Sequence, residues 1–221
     1  MSDASLLRPG LLSGLRVIVS PGRPEGGGPP RAVAEQDGGV DRARFGSATA
    51  AVCARLGARV EALAGEVEGQ GDGVREAASR RRVERLLGGG AVDMLVCDGQ
   101  ALYAASPEPG VRAVRGCADA CWNALRAVAT AAWIEPGRGG RAVLIAPAPD
   151  GTPWAEATRA ALENATRTLS IEWARHSITL MSLAPGEHTD AHELGELIAL
   201  LSSPAGDYFS GGQLDLRGLR A

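Results

Sequence analysis

The sequence predicts an α/β domain in which helices cover both faces of a parallel β-sheet. Short apolar runs of strand length alternate along the chain with longer segments whose apolar residues recur at helical spacing. The short runs show little polar alternation, which is typical of parallel strands that are buried on both faces. The chain of 221 residues is long enough for an adequate core, so we expect a single domain over residues 1–221.

The chain opens with a predicted strand–helix–strand unit. Leu15–Ser20 is a buried strand that ends at Pro21-Gly22. Residues 23–44 are rich in glycine, proline and charge, which predicts a mobile loop inserted before the helix. The helix is predicted over residues 45–57 and the second strand over Ala58–Leu63. The unit therefore keeps the usual order but carries an insertion in its first turn.

A helix, a strand and a second helix are predicted in the middle of the chain. The first helix runs from about Val74 to Leu87, and the buried strand runs from Val92 to Cys97. Residues 103–116 are predicted to form a loop. Apolar residues at helical spacing then predict a long helix over Cys117–Trp133.

The last third of the chain repeats the pattern of strand and helix. A strand is predicted within Gly139–Pro147, and a long helix over 153–175 with Thr152 as its N-cap. Ile178–Leu183 is the next strand, and Pro185-Gly186 ends it. A final helix is predicted in the sequence AHELGELIALLSS and a final strand in GDYFSGGQLDLRGL.

The composition excludes several kinds of function. All 23 cationic side chains are arginine, so a lysine general base, a lysine Schiff base and a lysine phosphate clamp are excluded. The formal charge of −3 argues against a nucleic-acid partner, which usually requires a basic face. The local cluster of Arg80, Arg81, Arg82 and Arg85 is interpreted as the solvated face of a helix.

The cysteines and the apolar runs predict a cytoplasmic protein. The four cysteines lie in predicted strands and helices without CxxC spacing, which favours reduced and mostly buried thiols: Cys53, Cys97, Cys117 and Cys121. No apolar run is long enough to cross a membrane, and the N-terminal residues do not have the pattern of a signal peptide. We therefore expect no membrane association.

Three stretches resemble the short-chain dehydrogenase/reductase family. They are VDMLVCDG, which starts at Val92, GGRAVLIAP, which starts at Gly139, and RAALENATRTLSIEWARHSITLMSLAPG, which starts at Arg159. The resemblance implies a Rossmann-like doubly wound sheet with helices on both faces. The segment before Val92 is too short for the helix, strand and helix that the family places there, so we expect a sheet that is trimmed relative to the family.

The resemblance also implies where a catalytic Ser, Tyr and Lys would stand. The Ser position is Ala146 or Pro147, the Tyr position is Ala155 and the Lys position is Arg159. An arginine stays protonated and is bulkier than lysine, so it is a poor replacement. Because all three groups are replaced and the substrate lid is deleted, the resemblance predicts that the family's chemistry is absent.

A vestige of the family's NAD(P) site is expected at seven positions. They are Ser20, Gly22, Gly46, Asp98, Pro185, Gly186 and Thr189. The insertion interrupts the glycine-rich turn, Pro21 removes one N–H donor, and Ala64 stands where an acidic residue would contact the ribose. We therefore expect no cofactor, with NAD(P) binding as the less favoured alternative.

In the family, two long helices pack against the same pair from a neighbouring subunit. The resemblance therefore implies an interface on the helices 117–133 and 153–175, formed by Trp122, Leu125, Trp133, Ala161, Leu162, Leu169 and Trp173. The leading hypothesis is a non-catalytic subunit that supports a catalytically complete homologue acting on a hydroxy or keto substrate. Packing of these tryptophans inside the monomer is the alternative.

Two other functions remain open. Asp98, Asp150, Glu187 and His188 could gather at the C-terminal edge of the sheet for a non-redox reaction, such as an isomerisation, a cyclisation or a hydrolysis. A homo-oligomeric binding protein is the other alternative. His188 and His192 lie four residues apart, but Asp190 and Glu193 have the spacing of a capping box, so we expect no metal site.

Overall fold

Six parallel strands form one sheet in the described part of the chain. The computed structural model describes residues 7–22, 45–64, 72–88, 90–107 and 109–218. The strands are Arg16–Gly22 (β1), Arg59–Ala64 (β2), Met94–Asp98 (β3), Gly140–Ile145 (β4), Ile178–Ala184 (β5) and Gln213–Asp215 (β6). Their order across the sheet is β2-β1-β3-β4-β5-β6. The predicted insertion over 23–44 lies outside the described residues.

Helices connect successive strands and cover both faces of the sheet, with α1 and α6 on one face and α2, α4 and α5 on the other. They are Phe45–Arg55 (α1), Asp72–Leu87 (α2), Gly99–Ala104 (α3), Val111–Val128 (α4), Pro153–Trp173 (α5) and Ala191–Ser202 (α6). A π-helical turn, Ala129–Ile134, extends α4, and short 3₁₀ turns follow α5 and α6. No helix in the described ranges is long and apolar enough to span a membrane.

Successive residues of a central strand face opposite sides of the sheet. Leu95 and Cys97 of β3 pack in a core with residues of α2, α4 and α5. Met94 and Val96 of the same strand pack in a second core with residues of α1 and α6. The predicted Rossmann-like α/β fold with helices on both faces is therefore confirmed.

The strand order reverses beside β1. From β2 at one side of β1, the chain returns through α2 to β3 at the other side. In open parallel sheets, ligands bind in the crevice that such a reversal creates at the carboxyl ends of the strands. Between β2 and β3 the described residues form one helix, α2, and none of them forms the extra strand that the resemblance places there.

One predicted loop is largely helical. Residues 103–116 contain the end of α3 and the start of α4, so the loop prediction is wrong for most of this range. Pro107, Pro109 and Gly110, which suggested a loop, occupy the short connection between the two helices. Thr152 occupies the N-cap position of α5, as predicted, but its hydroxyl donates to Asp150 Oδ1 at 2.7 Å and makes no cap hydrogen bond.

Trp133 lies inside the monomer, so its prediction as an outward-facing residue is wrong. The side chain is fully buried, and its Nε1 donates to the carbonyl oxygen of Val92 at 2.8 Å. The ring occupies the space where a Cβ at residue 140 would lie, which requires Gly140. The π-helical turn changes the angular spacing that an α-helix would give, and this explains the error.

Three further residues predicted at the interface belong to the core. Leu125, Leu162 and Leu169 are buried beneath α4 and α5 against the sheet. Trp122 is 41% exposed, and Ala161 and Trp173 are half-buried. The exposed part of the predicted interface is therefore smaller than the sequence pattern indicates.

Arg16 and Glu61 form an ion pair between β1 and β2. Arg16 Nε donates to Glu61 Oε1 at 2.9 Å, and Arg16 Nη2 donates to Glu61 Oε2 at 2.6 Å. Arg16 is buried and also donates to the carbonyl oxygens of Gly90 and Leu86. The hydrogen bond from Arg16 holds the pKa of Glu61 below its ordinary value.

We expect Glu61→Gln to remove a pH-dependent part of the stability. A carboxylate whose pKa is lowered on folding stabilises the protein above its unfolded pKa of about 4.3, and this stabilisation is lost as the pH falls through the folded pKa. The free energy of unfolding should therefore fall more steeply below about pH 5 in the wild type than in E61Q, as measured by urea unfolding across pH. Glu163→Gln, which removes an exposed pair with Arg167, is the control. Equal pH slopes for the wild type and E61Q would contradict this role.

Candidate functional site

The C-terminal edge of the sheet holds the residues that the sequence singled out for chemistry. At this edge the chain leaves β3 at Asp98, β4 at Ile145 and β5 at Ala184. Loops there vary without disturbing the sheet, and open parallel sheets bind their ligands there. The candidate residues form three groups, centred on Asp98, on Arg159 and on the turn at Gly186.

Asp98 lies where the end of β3 meets the N-terminus of α1. Its side chain is 2% exposed. Asp98 Oδ2 accepts a hydrogen bond from Gly46 N at 2.6 Å, and Asp98 Oδ1 accepts one from Ala101 N at 3.0 Å. Burial raises the pKa of Asp98 above its ordinary value, although the backbone donors oppose this shift.

The end of β1 lies beside Asp98. Ser20 pairs in register with Cys97, and Gly22 pairs with Ala64 at the end of β2. Ser20, Gly46 and Asp98, which were predicted as parts of one vestigial site, are thus brought together. A Cβ at Gly46 would lie 2.8 Å from Asp98 Oδ2, so no larger residue fits there while the carboxylate keeps its position.

Arg159 of α5 forms hydrogen bonds with the segments that follow β4 and β5. Its side chain is 4% exposed, and its Nη1 donates to the carbonyl oxygens of Pro147 at 2.6 Å and Pro185 at 2.9 Å. Its Nη2 lies 3.8 Å from Asp215 Oδ1, which is too long for a hydrogen bond, and it has no hydrogen-bond partner in the described structure. Burial lowers the pKa of Arg159 below its ordinary value.

The two positions where the resemblance implies Ser and Tyr are packed. Ala146 and Ala155 are fully buried, and neither side chain can donate or accept a hydrogen bond. Pro147, the alternative Ser position, contributes its carbonyl oxygen to Arg159. These positions are therefore occupied by alanine methyl groups and by the guanidinium group of Arg159, which is hydrogen-bonded to backbone carbonyl oxygens.

The segment after β4 is held against α3. Ala148 N donates to Gln100 Oε1 at 2.7 Å, and the Tyr103 hydroxyl donates to Asp150 Oδ2 at 3.1 Å. Sequence reasoning missed Gln100 and Tyr103 as site residues because it placed no helix there. Asp98, which caps α3 by accepting from Ala101 N, was the available signal for that helix.

A cleft of about 500 Å³ opens beside the Pro-Gly turn. Gly186, Glu187, His188 and Thr189 line one side, and leucines of α6 and the segment after β6 line the other. The Thr189 hydroxyl accepts a hydrogen bond from Gly186 N at 2.8 Å, so it is engaged within the turn. The lining includes Leu194, Leu197 and Leu216 together with the exposed side chains of Glu187 and His188.

Only two of the four candidates for a non-redox reaction line this cleft. They are Glu187 and His188, whereas Asp98 and Asp150 do not line it. Partial burial raises the pKa of Asp150, but the hydrogen bonds from Thr152 and Tyr103 outweigh it and leave the pKa below its ordinary value. Asp150 therefore lacks the raised pKa of a general acid at neutral pH.

The histidines near α6 do not form a metal cluster. Asp190 is the N-cap of α6 and accepts from the backbone N–H groups of His192 and Glu193, as the capping spacing predicts. Arg55 Nη2 donates to His192 Nε2 at 3.1 Å. Among the described residues no group of three or more His, Cys, Asp or Glu side chains is arranged to hold a metal ion.

The sheet order and the crossovers define a Rossmann-like α/β fold, which is similar to that of solved short-chain dehydrogenases. The chain is similar to the citronellol catabolism dehydrogenase of Pseudomonas aeruginosa PAO1, with a TM-score of 0.70 and 20% identity over 97% of this chain and 98% of that one. A short chain dehydrogenase from Mycobacterium smegmatis gives a TM-score of 0.68 and 19% identity over 100% and 99% of the two chains. No family model and no curated protein matches the sequence.

A further solved structure with this fold holds a dinucleotide. It is a 7α-hydroxysteroid dehydrogenase complexed with NADH and 7-oxo glycochenodeoxycholic acid, with a TM-score of 0.65 and 16% identity over 95% of this chain and 96% of that one. At such identities the similarity establishes the fold. Whether this chain suits the same cofactor depends on its own residues.

The described residues at the edge of the sheet do not fit a dinucleotide. In Rossmann-like folds the pyrophosphate lies on N–H groups at the N-terminus of the first helix. Here Gly46 N donates to Asp98, whose carboxylate would repel a phosphate at this place. At the other end of the edge, the carbonyl oxygen of Pro185 accepts from Arg159 and Gly186 N donates to Thr189. The backbone groups at these positions, which the resemblance assigns to a cofactor site, are thus already paired.

Proposed function

We propose that this chain is a non-catalytic subunit with the short-chain dehydrogenase/reductase fold. It assembles with a catalytically complete homologue that acts on a hydroxy or keto substrate, and it stabilises that homologue or shapes its substrate entrance. The observation that carries the proposal is the packing of the reaction site by the chain's own side chains. Ala146 and Ala155 are buried without polar groups, and Arg159 is bonded to two backbone carbonyl oxygens.

The chemistry of the family supports this reading of the site. Carbonyl reduction in that family needs a Tyr hydroxyl to supply the proton and a Lys to lower the pKa of that Tyr. The chain has no lysine, and its two tyrosines lie elsewhere. Tyr103 donates to Asp150, and Tyr208 is 90% exposed beyond α6. Ala155, which stands at the position of the family's Tyr, therefore offers no hydroxyl to supply the proton.

The outer surface of α4 and α5 supports an assembly role. These adjacent helices cover one face of the sheet, and they carry Trp122 at 41% exposure and Ile171 at 79% exposure. Ala161 and Trp173 of α5 are half-buried. Large apolar side chains beside small ones are typical of the centres of protein–protein interfaces. Ile171 was not among the residues predicted from the sequence, although it is the most exposed large aliphatic side chain on these helices.

The first test of the proposal uses the purified chain alone and with its partner. The isolated protein is expected to oxidise neither NADH nor NADPH with carbonyl substrates and to show no shift of its Tm with either nucleotide. The tagged protein is expected to co-purify with a homologue that has a Tyr and a Lys four residues apart, identified by mass spectrometry. Reductase activity of the isolated chain, or a nucleotide-induced rise in its Tm, would overturn the proposal.

Substitution of Ile171 by glutamate tests the proposed surface. A surface substitution of this kind usually changes the free energy of unfolding by less than about 0.5 kcal/mol, so the monomer should remain folded. A charge buried in an apolar interface is unfavourable, so co-purification of the homologue should fall at least about tenfold. Tyr208→Glu, at a residue that is 90% exposed on the 3₁₀ turn after α6, is the control. If I171E and Y208E co-purify with equal amounts of the homologue, the interface with the homologue does not include Ile171.

A non-redox enzyme is the second candidate, and the cleft of about 500 Å³ favours it. Glu187 and His188 at its rim are the residues that would act on a bound substrate. A screen of small hydroxy and keto acids by thermal shift tests this function. A ligand whose shift is lost in His188→Ala, but kept in His176→Ala on the 3₁₀ turn after α5, would favour the enzyme. A homo-oligomer without a homologous partner in sedimentation experiments would instead favour a binding protein.

A further inference from the structure

We infer that the cleft beside the Pro-Gly turn binds small apolar amines, which carry a positive charge at neutral pH. Its volume of about 500 Å³ lies in the range of clefts that hold small organic molecules. The segments that follow β5 and β6 line it, so it opens at the C-terminal edge of the sheet, where open parallel sheets bind their ligands. The inference goes beyond the assembly role, and it requires no reaction in the cleft.

The apolar part of the lining comes from two elements. Leu194 and Leu197 lie on α6, and Leu216 follows the end of β6. Leu197 and Leu216 are half-buried, so the fold leaves part of their apolar surface exposed in the cleft. Covering this surface favours a ligand that has an apolar body.

The neutral polar groups of the turn are used within it. The Thr189 hydroxyl accepts from Gly186 N at 2.8 Å, and Thr189 N donates to the carbonyl oxygen of Gly186 at 3.5 Å. The next residue, Asp190, accepts from the backbone N–H groups of His192 and Glu193 at the start of α6. These groups therefore do not select a neutral polar ligand, and the selection falls to the charged side chains.

Arg217 is held by carboxylates that do not line the cleft. Its Nε and Nη2 donate to the two oxygens of Asp215 at 2.9 Å and 2.6 Å, and its Nη1 donates to Glu156 Oε2 at 3.3 Å. A bidentate pair of this kind fixes the guanidinium and satisfies most of its donors. An anionic ligand would have to compete with both carboxylates for Arg217, so the cleft does not favour an anion.

Glu187 and Glu193 are the acidic side chains of the described lining, and both are exposed. A carboxylate has about four acceptor sites, so each glutamate can accept from an ammonium group in addition to any bond that it makes within the protein. An amine with an apolar body would place its charge near these glutamates and its carbon atoms against the leucines. An apolar carboxylate of the same size would meet like charges instead. Charge complementarity thus selects the amine.

Titration of the isolated chain with 4-phenylbutylamine tests the inference. The comparison ligand is 4-phenylbutyrate, which has nearly the same apolar body and the opposite charge. The backbone amide signals of Gly186 and Leu197 in proton–nitrogen correlation spectra report binding in the cleft. We expect the amine to bind at least about tenfold more tightly than the acid.

Variants of the two glutamates locate the charge that selects the ligand. The double variant of Glu187→Gln with Glu193→Gln keeps the size of both side chains, and it should weaken the binding of the amine about fivefold. Glu163→Gln is the matched control, because Glu163 lies on α5 and does not line the cleft. It should bind the amine as the wild type does.

Each outcome bears directly on the inference. Preference for the amine that falls in E187Q/E193Q, and not in E163Q, supports it. Equal or tighter binding of 4-phenylbutyrate overturns it, as does amine binding that is absent or that is the same in all three proteins. Because the titration uses the isolated chain, failure to find a homologous partner would overturn the assembly role and leave this result unchanged. Tighter binding of the acid would overturn the inference and still favour the second candidate function.

Discussion

Replacement of Trp133 by alanine is expected to lower the free energy of unfolding by about 3–5 kcal/mol. The indole is fully buried between the π-helical turn and Gly140, and the structure around it would collapse only in part. The change also removes the hydrogen bond from Nε1 to the carbonyl oxygen of Val92 and leaves that acceptor without its donor. Chemical denaturation of the isolated chain, with the m-value compared to confirm two-state unfolding, measures the loss.

Trp122→Ala is the matched control for this prediction. Trp122 lies on the same helical segment but is 41% exposed, so its removal should cost less than about 1 kcal/mol. Its effect should appear in assembly instead, as weaker co-purification with the proposed partner. If Trp133→Ala left the stability unchanged and weakened assembly, the outward-facing interpretation of Trp133 would be restored.

The sequence predicted the central strands well because they are buried on both faces. The strand predicted at Val92–Cys97 is found at Met94–Asp98, and the strand predicted at Ile178–Leu183 is found at Ile178–Ala184. Such strands are continuously apolar, so they can be recognised in the sequence without knowledge of their tertiary contacts. The Asp190 cap of α6 was predicted for a similar reason, because a cap and its acceptors lie within one turn.

The contacts of the candidate site could not be predicted from local sequence patterns. Asp98 binds Gly46 across 52 residues, and Arg159 binds Pro185 across 26 residues, so neither pair leaves a spacing in the sequence. The resemblance placed Arg159 at a lost catalytic position and Asp98 in a vestigial cofactor site, and Asp98 was also a candidate for a non-redox reaction. Their partners show that each side chain has a structural task, which is to satisfy backbone groups at the edge of the sheet.

Arg159→Met is the second substitution with a large expected effect. Arg159 Nη1 donates to the carbonyl oxygens of Pro147 and Pro185, and methionine would fill much of the volume while leaving both acceptors unpaired in a buried place. We expect the free energy of unfolding to fall by about 2–4 kcal/mol. Arg159→Lys should recover part of this loss, since an ammonium group can donate to both carbonyl oxygens but lacks the planar geometry of the guanidinium. Urea unfolding of the two variants and the wild type measures the difference.

Arg167→Met, two turns further along α5, separates the role of the buried site from a general loss of charge. Arg167 is 66% exposed and pairs with Glu163 at 2.5 Å, so its replacement should change the stability by less than about 0.5 kcal/mol.

The Arg159→Lys variant also tests the proposed function, because it places a lysine at the position where the family has one. Arg159→Lys and the double variant with Ala155→Tyr should both remain inactive with NADH and NADPH, since Ala155 is fully buried and a tyrosine there would disturb the packing. Reductase activity in the double variant would mean that the edge of the sheet still accepts a dinucleotide, and that Asp98 does not exclude it.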